Sequence, residues 1–277
     1  MIYQGCSTKQ SNEKYRSIPA LMHSIGQSGL KSGFTMNPEV IDASKGPCVV
    51  RGFLYGADIV LDKCNDVGQD FYYMDNGYIV DKKRYSRLTK NWWFITDLKD
   101  NKTKEDENRI RKHRDNVLKS IRPWKTSGSY ILICPSSTLL EGRMLGADRA
   151  EDQWLNETVE TIKKHTDRPI KIRRKLVHKA GQNKKLNPVS LEKDLKGAHA
   201  CVTLGSVCAI DALRLGVPSF SDPKSMVQAC SSHDFSAIEN PIYPDNRELL
   251  FENLLLNQFN FDEFANGTAW EYVTRNA

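Results

Sequence analysis

No uninterrupted apolar run in this sequence approaches the ~18 residues that a membrane-crossing helix requires, so no transmembrane span is expected. The amino end, MIYQGCSTKQSNEKYRS, has no apolar h-region and does not read as a signal peptide. There is no C-x-x-C pair and no Cys/His cluster of metal spacing. The seven cysteines, at 6, 48, 64, 134, 201, 208 and 230, are scattered and odd in number. That pattern fits neither a disulfide framework nor a zinc site, and it points to a cytoplasmic protein with reduced thiols. Glycine (17) and proline (11) stand near average use, which excludes collagen-like and low-complexity chains. H-E-x-x-H, G-x-S-x-G and the Walker A pattern G-x-x-x-x-G-K-[ST] are all missing, so the metallopeptidase, serine-hydrolase and P-loop classes fall away.

The 277 residues are 39% hydrophobic and 27% charged, a mix that builds real cores and suffices for one large domain or two ordinary ones. The net charge of +6 is unevenly spread. Lys163 to Lys185 holds ten Lys/Arg against the single acid Asp167, whereas Ser231 to Ala277 holds eight acids against Arg247 and Arg275. A basic stretch inside a folded chain suggests an anionic ligand, phosphate or nucleic acid, or else a solvated surface.

The second half has the clearer organisation. YILICP (130–135) reads as a strand, and a helical pattern from Ala147 to Lys164 repeats Trp154, Leu155, Val159 and Ile162. PIKIR (169–173) is a strand, LEKDLKGAHA a short helix closing near Gly197, and ACVTL (200–204) another strand. Val207–Leu215 is helical until Gly216, and VPSF (217–220) is one more strand. Strand and helix alternating at this spacing predict a parallel sheet covered on both faces. In the first half, CVVRGFL (48–54) and QDFYYMD (69–75) read as strands, Arg109–Ile121 as a charged helix and Pro123–Ser129 as a linker. The expected division is an α/β domain over 1–127, a second over 128–245 and a helical tail over 246–277 that crosses back to the first domain.

Several segments suit chemistry. In TLGSVCAIDALRLGVP (203–218) a strand turns through Gly205 and Ser206 into a helix, where free N–H groups and the dipole favour phosphate. Asp211 sits on that otherwise apolar helix, and burying a carboxylate requires a partner such as a ribose diol. The alternative is a capped helix whose Asp211 meets a nearby Arg. In KIRRK, Lys171, Arg173 and Lys175 share one strand face and are placed to clamp a diphosphate, or merely to protect a sheet edge. CPSS puts Ser136 in a βα loop of the kind that lines ligand crevices, or in a simple turn. In YYMDNGY (72–78), Asn76-Gly77 predicts a tight turn with Asp75 at the strand end, a place for a general base or for plain packing. Arg51-Gly52 invites the same two readings. KKRYSRLTKNWW (82–93) interleaves cations with aromatics, as a nucleic-acid surface does, although paired tryptophans also build cores. No two aspartates lie two residues apart, so the D-x-D of many metal-dependent sugar transferases is missing.

These segments together resemble the donor-binding half of GT-B glycosyltransferases, which carry strand, S-x-x-x-x-[DE]-A, helix and G-x-P. Here they are Ser206-Val-Cys-Ala-Ile-Asp211-Ala212 and Gly216-Val217-Pro218. ILICPSS, the W-x-x-x-T-x-x-x-I of Trp154 to Ile162, TDRPIKIRRK and the tail IENPIYPDNRELLFENLLLNQFNFDEFANGTAW are similar to a group of such proteins from phages and bacteria. The likeness lies mostly beyond Tyr130. It implies two Rossmann-like domains with the active site in a cleft between them, and a nucleotide-sugar donor, UDP-glucose favoured, used without a metal. By the same resemblance Ser136, Gly205 and Ser206 would line the donor diphosphate, Asp211 would hold the ribose or sugar, and Arg173 and Lys175 would neutralise the leaving group. Asp211 stands where the family more often has Glu.

The expectation is therefore transfer of a sugar to an acceptor hydroxyl, with Asp75 or else His23 taking the proton. A hydroxymethylated pyrimidine in phage DNA is the favoured acceptor, which would place the protein in the host cytoplasm. The alternatives are a polysaccharide or lipid-linked acceptor, a non-catalytic nucleic-acid-binding protein on the same fold, and a nucleotide-sugar epimerase.

Overall fold

A computed structural model describes residues 1–7, 13–53, 56–81, 84–146, 149–174 and 189–276. Lys82, Lys83 and Lys175 lie outside the described residues. The chain forms two compact units, one of Met1–Ile95 with Asn253–Ala277 and one of Thr96–Glu252. Among the described residues no helix is long and apolar enough to cross a membrane.

The first unit contains β1 (Tyr3–Cys6), α1 (Glu13–Gln27), β2 (Ser32–Thr35), β3 (Cys48–Arg51), α2 (Ala57–Val67), β4 (Phe71–Asn76) and β5 (Ser86–Lys90). The second contains α3 (Lys104–Lys119), β6 (Tyr130–Ile133), α4 (Thr138–Leu145), α5 (Gln153–Ile162), β7 (Ile170–Ile172), α6 (Leu191–Gly197), β8 (Ala198–Thr203), α7 (Cys208–Arg214), β9 (Ser219–Ser221) and β10 (Ser231–Ser232). Helix α8 (Arg247–Leu256) leads the chain back to the first unit, which β11 (Gln258–Phe259), α9 (Phe261–Ala265) and α10 (Thr268–Arg275) complete.

In the first unit the sheet order is β11-β5-β4-β3-β1-β2, with β2, β1, β3 and β4 parallel, β5 antiparallel to β4 and β11 antiparallel to β5. All four residues of β3 are buried, as expected for a central parallel strand covered on both faces. Helix α1 turns Ile18, Leu21, Met22 and Ile25 inward at helical spacing. It lies close over Gly5, where a Cβ would stand 2.5 Å from Met22 Cγ. From the carboxyl-terminal segment, Trp270 packs on Tyr3 and Tyr72 with ring centroids 5.1 and 4.9 Å away.

The second unit has a wholly parallel sheet in the order β10-β9-β8-β6-β7. One face buries Ile131, Ile133, Ala200, Val202 and Phe220 against Trp154, Leu155 and Ile162 of α5. The other buries Leu132 and Cys201 against Leu195 of α6 and Ala212 of α7. This is the parallel sheet covered on both faces that the alternation predicted.

Three local expectations are corrected. The charged helix begins at Lys104, not Arg109, because Thr103 and Asp106 form a reciprocal capping box at its start. The helix expected from Ala147 starts only at Gln153, after Asp152 in the left-handed region at φ 62°, and a separate helix that was not expected, α4, capped by Ser137, precedes it. Asn76-Gly77 is no two-residue turn. Strands β4 and β5 are joined by residues 77–85, and Gly77 is needed because a Cβ there would lie 2.9 Å from Gln258 Oε1 and 3.1 Å from Tyr85 Cβ.

Candidate functional site

In the second unit the chain leaves β6 to one side for β7 and returns on the other side as β8. The reversal lies between the adjacent strands β6 and β8, and the crevice at the carboxyl ends of such a pair is where open α/β sheets bind ligands. The register pairs Ile133 with Val202, and the Cys134 N–H continues the ladder to the Val202 carbonyl at 2.8 Å. The Pro135–Ser137 and Leu204–Val207 loops therefore start side by side.

Ser136 lies in the first of these loops, with its Oγ shielded from solvent and without a partner among the described residues. Gly205 is buried and Ser206 half-buried in the second. The Ser206 N–H donates to Thr203 Oγ1 at 3.2 Å, and Ser206 Oγ accepts the Cys208 N–H at 3.4 Å. Two of the polar groups expected to meet phosphate thus shape the turn instead. Asp211 is not the buried carboxylate that seemed to require a ribose. Its side chain is 32% exposed and meets Arg214 at 3.5 Å, the alternative the sequence had left open.

The β7 cations are arranged as their alternation predicts but are engaged within the unit. Lys171 donates to Asp194 Oδ1 at 2.6 Å, and Arg173 Nη1 donates to Asp194 Oδ2 and to the Val189 carbonyl. The Asp194 side chain is only 3% exposed. Burial pushes its carboxyl up, but Lys171 and Arg173 outweigh burial and hold it below the usual carboxylate range. Two cations against one carboxylate leave a positive surplus at the carboxyl edge of β7. Arg174, on the opposite face, pairs with Asp152, and Arg168 with Glu239 at 2.9 Å. Four cations of the basic run are thus engaged by three acids of the same unit, and Lys175, Lys179, Lys184 and Lys185 lie outside the described residues.

The residues expected to carry the base are in the first unit. Asp75 faces Arg87 across the β4–β5 ladder and accepts from its Nη2 at 2.9 Å, while Asp75 Oδ1 accepts the Asn76 N–H at 2.7 Å. Arg87 is buried among the rings of Tyr73, Tyr78 and Phe94, 5.2–5.8 Å from their centroids. Asp75 serves there as the counter-ion of a buried guanidinium. Within the 82–93 stretch, Ser86 to Thr89 and Trp93 are core, so Arg87 is turned into the unit and Arg84 stays exposed. Arg51 is also core, donating to Ser86 Oγ at 2.9 Å. His23 is exposed on α1. It lines a hollow of 370 Å³ with Gly26, Ser32 and Gly33, at the amino edge of the sheet where β2 begins.

Two features escaped the sequence. Glu141, in the first turn of α4, is a buried carboxyl pushed up by burial and then by Asp152. The other is the convergence of Cys134, Cys201 and Cys208, whose sulfurs all lie within 4.8 Å of one another. Glu141 had a local signal, an acid in the first turn after a capping Ser137. The cysteines had none, because parallel pairing brings them together.

No protein-family model matches the sequence, and no curated protein matches it. Among solved structures the chain is similar to the β-Kdo 2,4 transferase of Thermosulfurimonas dismutans KpsC, with a TM-score of 0.53 at 11% identity over 93% of this chain and 91% of that one. The β-Kdo 2,7 transferase of the same KpsC aligns at a TM-score of 0.47 and 13% identity over 100% and 99% of the two chains. The Methanocaldococcus jannaschii UDP-GlcNAc 2-epimerase, in complex with UDP-GlcNAc and UDP, aligns at 0.29 and 11% over 100% and 99%. Of these three, the first shows a shared α/β fold and, at that identity, the fold alone.

Proposed function

We propose that this chain transfers a sugar from a nucleotide-sugar donor to an acceptor hydroxyl, with the donor held at the carboxyl edge of the second unit's sheet. The observation that carries this reading is the reversal between β6 and β8, which sets the Ser136 and Ser206 loops side by side next to the cation surplus at Arg173. A fold shared with a Kdo transferase supports it. The acceptor hydroxyl oxygen attacks the anomeric carbon and gives up its proton to water, the bond from that carbon to the phosphate oxygen breaks, and the nucleotide leaves with the electron pair. Ser136 Oγ donates to a phosphate oxygen, and the Lys171–Arg173–Asp194 group supplies net positive charge to the leaving nucleotide. Gly205 leaves room for the phosphates, and Asp211, released from Arg214, accepts from a donor hydroxyl. Asp75 is occupied by Arg87 and His23 stands at the sheet's amino edge, so neither enters this mechanism as base.

The finer expectation of hydroxymethylated DNA as acceptor rests on the phage-like resemblance, the cytosolic character and the basic stretches, four of whose cations pair within the second unit. A glycan acceptor is weighed equally in the test. Thermal melts with UDP, GDP, CMP and their sugars, UDP-glucose first and no metal added, identify the donor. A ligand at about 100 times its Kd stabilises by ~2.7 kcal/mol, several degrees for a domain of this size. The shift is expected to vanish in Ser206→Trp and to shrink in Arg173→Ala, each against its own unliganded melt. Mass spectrometry of hydroxymethylpyrimidine DNA and of oligosaccharides then identifies the acceptor. A protein that melts cooperatively and shifts with no nucleotide overturns the proposal.

A further inference from the structure

The three cysteines at the β6–β8 reversal have no part in sugar transfer. Cys134 follows β6, Cys201 lies within β8 and Cys208 opens α7, and their sulfurs fall within 4.8 Å of one another. All three are buried, with exposures of 7% at Cys208, 5% at Cys134 and 0% at Cys201, beneath the Pro135–Ser137 and Leu204–Val207 loops that follow β6 and β8. They belong to one apolar cluster with Leu132, Leu195, Ala212 and Val217. The hydroxyls of Ser206 and Thr203 reach the Cys208 sulfur, and the Arg173 charge acts on Cys134.

We propose that Cys134, Cys201 and Cys208 form a trigonal thiolate site for the soft monovalent cation copper(I). Sulfur ligands select soft ions, and three of them without a nitrogen or oxygen ligand suit copper(I) coordination. Zinc takes a fourth ligand, and among the described residues no His, Asp or Glu joins the three sulfurs. A disulfide would use two sulfurs and strand the third. The hydroxyls and Arg173 offset the negative charge that three thiolates around a monovalent ion leave behind. In the first unit Cys48 and Cys64 make a hydrogen-bonded pair, but no third ligand closes a comparable group among the described residues. On binding, each coordinated thiol exchanges its S–H bond for an S–Cu bond and releases its proton to water, with no change of oxidation state.

The test is an anaerobic titration of the full chain with copper(I) buffered by bathocuproine disulfonate. One equivalent is expected to move to the protein, and X-ray absorption is expected to count three sulfur neighbours. Cys134→Ser and Cys208→Ser are expected to weaken binding at least tenfold, whereas Cys48→Ser leaves it unchanged. Failure of the wild-type protein to take copper, a count of two sulfurs, or equal weakening by Cys48→Ser overturns the proposal, as does tighter binding of zinc with four ligands. Should a serine variant not melt cooperatively, the wild-type stoichiometry and sulfur count decide.

Discussion

Among the charges that the first unit buries is a cation, Arg87, on an antiparallel strand, ringed by Tyr73, Tyr78 and Phe94, with Asp75 as its acidic partner among the described residues. Among the charges that the second unit buries is an anion, Asp194, on a helix, and two cations, Lys171 on β7 and Arg173 just after it, answer it. The two arrangements differ in what can reach water. The Arg87 side chain is 6% exposed, whereas Lys171 is 45% and Arg173 17% exposed. The first pair is a closed core element with no charge left over. The second leaves positive charge at the carboxyl edge of its sheet, where the proposed donor site lies.

That contrast can be broken first at the glycines ending two helices that follow parallel strands. Gly216, after α7, has φ +74°, and a Cβ there would lie 2.0 Å from the Pro123 carbonyl oxygen. Gly68, after α2, has φ +64° with nothing within 4 Å. Gly216→Ala is expected to destabilise by more than about 3 kcal/mol, since strain and overlap with rigid backbone add. Gly68→Ala should cost about 1 kcal/mol, for strain alone. Urea unfolding of the two variants measures the difference, and equal losses would show that the 121–128 backbone yields.

Next come the carboxylates. Asp75→Ala strands a guanidinium that cannot reach water, at a cost of about 3 kcal/mol, the low end for a broken buried pair because Asp75 is itself partly exposed. Asp194→Asn leaves cations that can turn to solvent, and about 1–2 kcal/mol is expected. The reverse ranking in chemical denaturation would refute the distinction between a closed and an open charge group.

The smallest effect is that of acid. Burial pushes Asp194 and Glu252 up, but Lys171 and Arg173 in one case and Lys102 and Arg114 in the other hold both below the usual range. A carboxyl lowered in the folded state binds protons less tightly there than in the unfolded chain. Its stabilisation is complete above the unfolded value of about 4 and is lost as pH falls through the folded one. Melts between pH 6 and pH 3 should therefore lose stability most steeply below about pH 4, and less so in Asp194→Asn. An unchanged acid slope in that variant would remove Asp194 from the account.

Where helical or strand periodicity is strong and local, as in Trp154 to Ile162 or Ile170 to Ile172, the elements were legible along the chain. The ends were less so: Thr103 and Ser137 start helices through single side-chain caps, and Asp152 ends an irregular stretch in a left-handed conformation. At the candidate site, the Gly205–Ser206 turn and the shared face of Lys171 and Arg173 could be read in advance. Their partners could not. Asp194 comes from α6 and Arg87 from a facing strand, and long-range pairing leaves no periodic trace.

Composition, hydrophobic spacing and turn residues by themselves determined the α/β class and the parallel sheet of the second half, because burial of an apolar stripe or face is set by neighbours three, four or two residues away. Only the tertiary structure decided which charges are matched and which are left over. It alone placed Ser136 beside the β8 loop and brought three distant cysteines to one point. Those outcomes follow from the order of strands and the register between them, which is chosen by the packing of the whole unit.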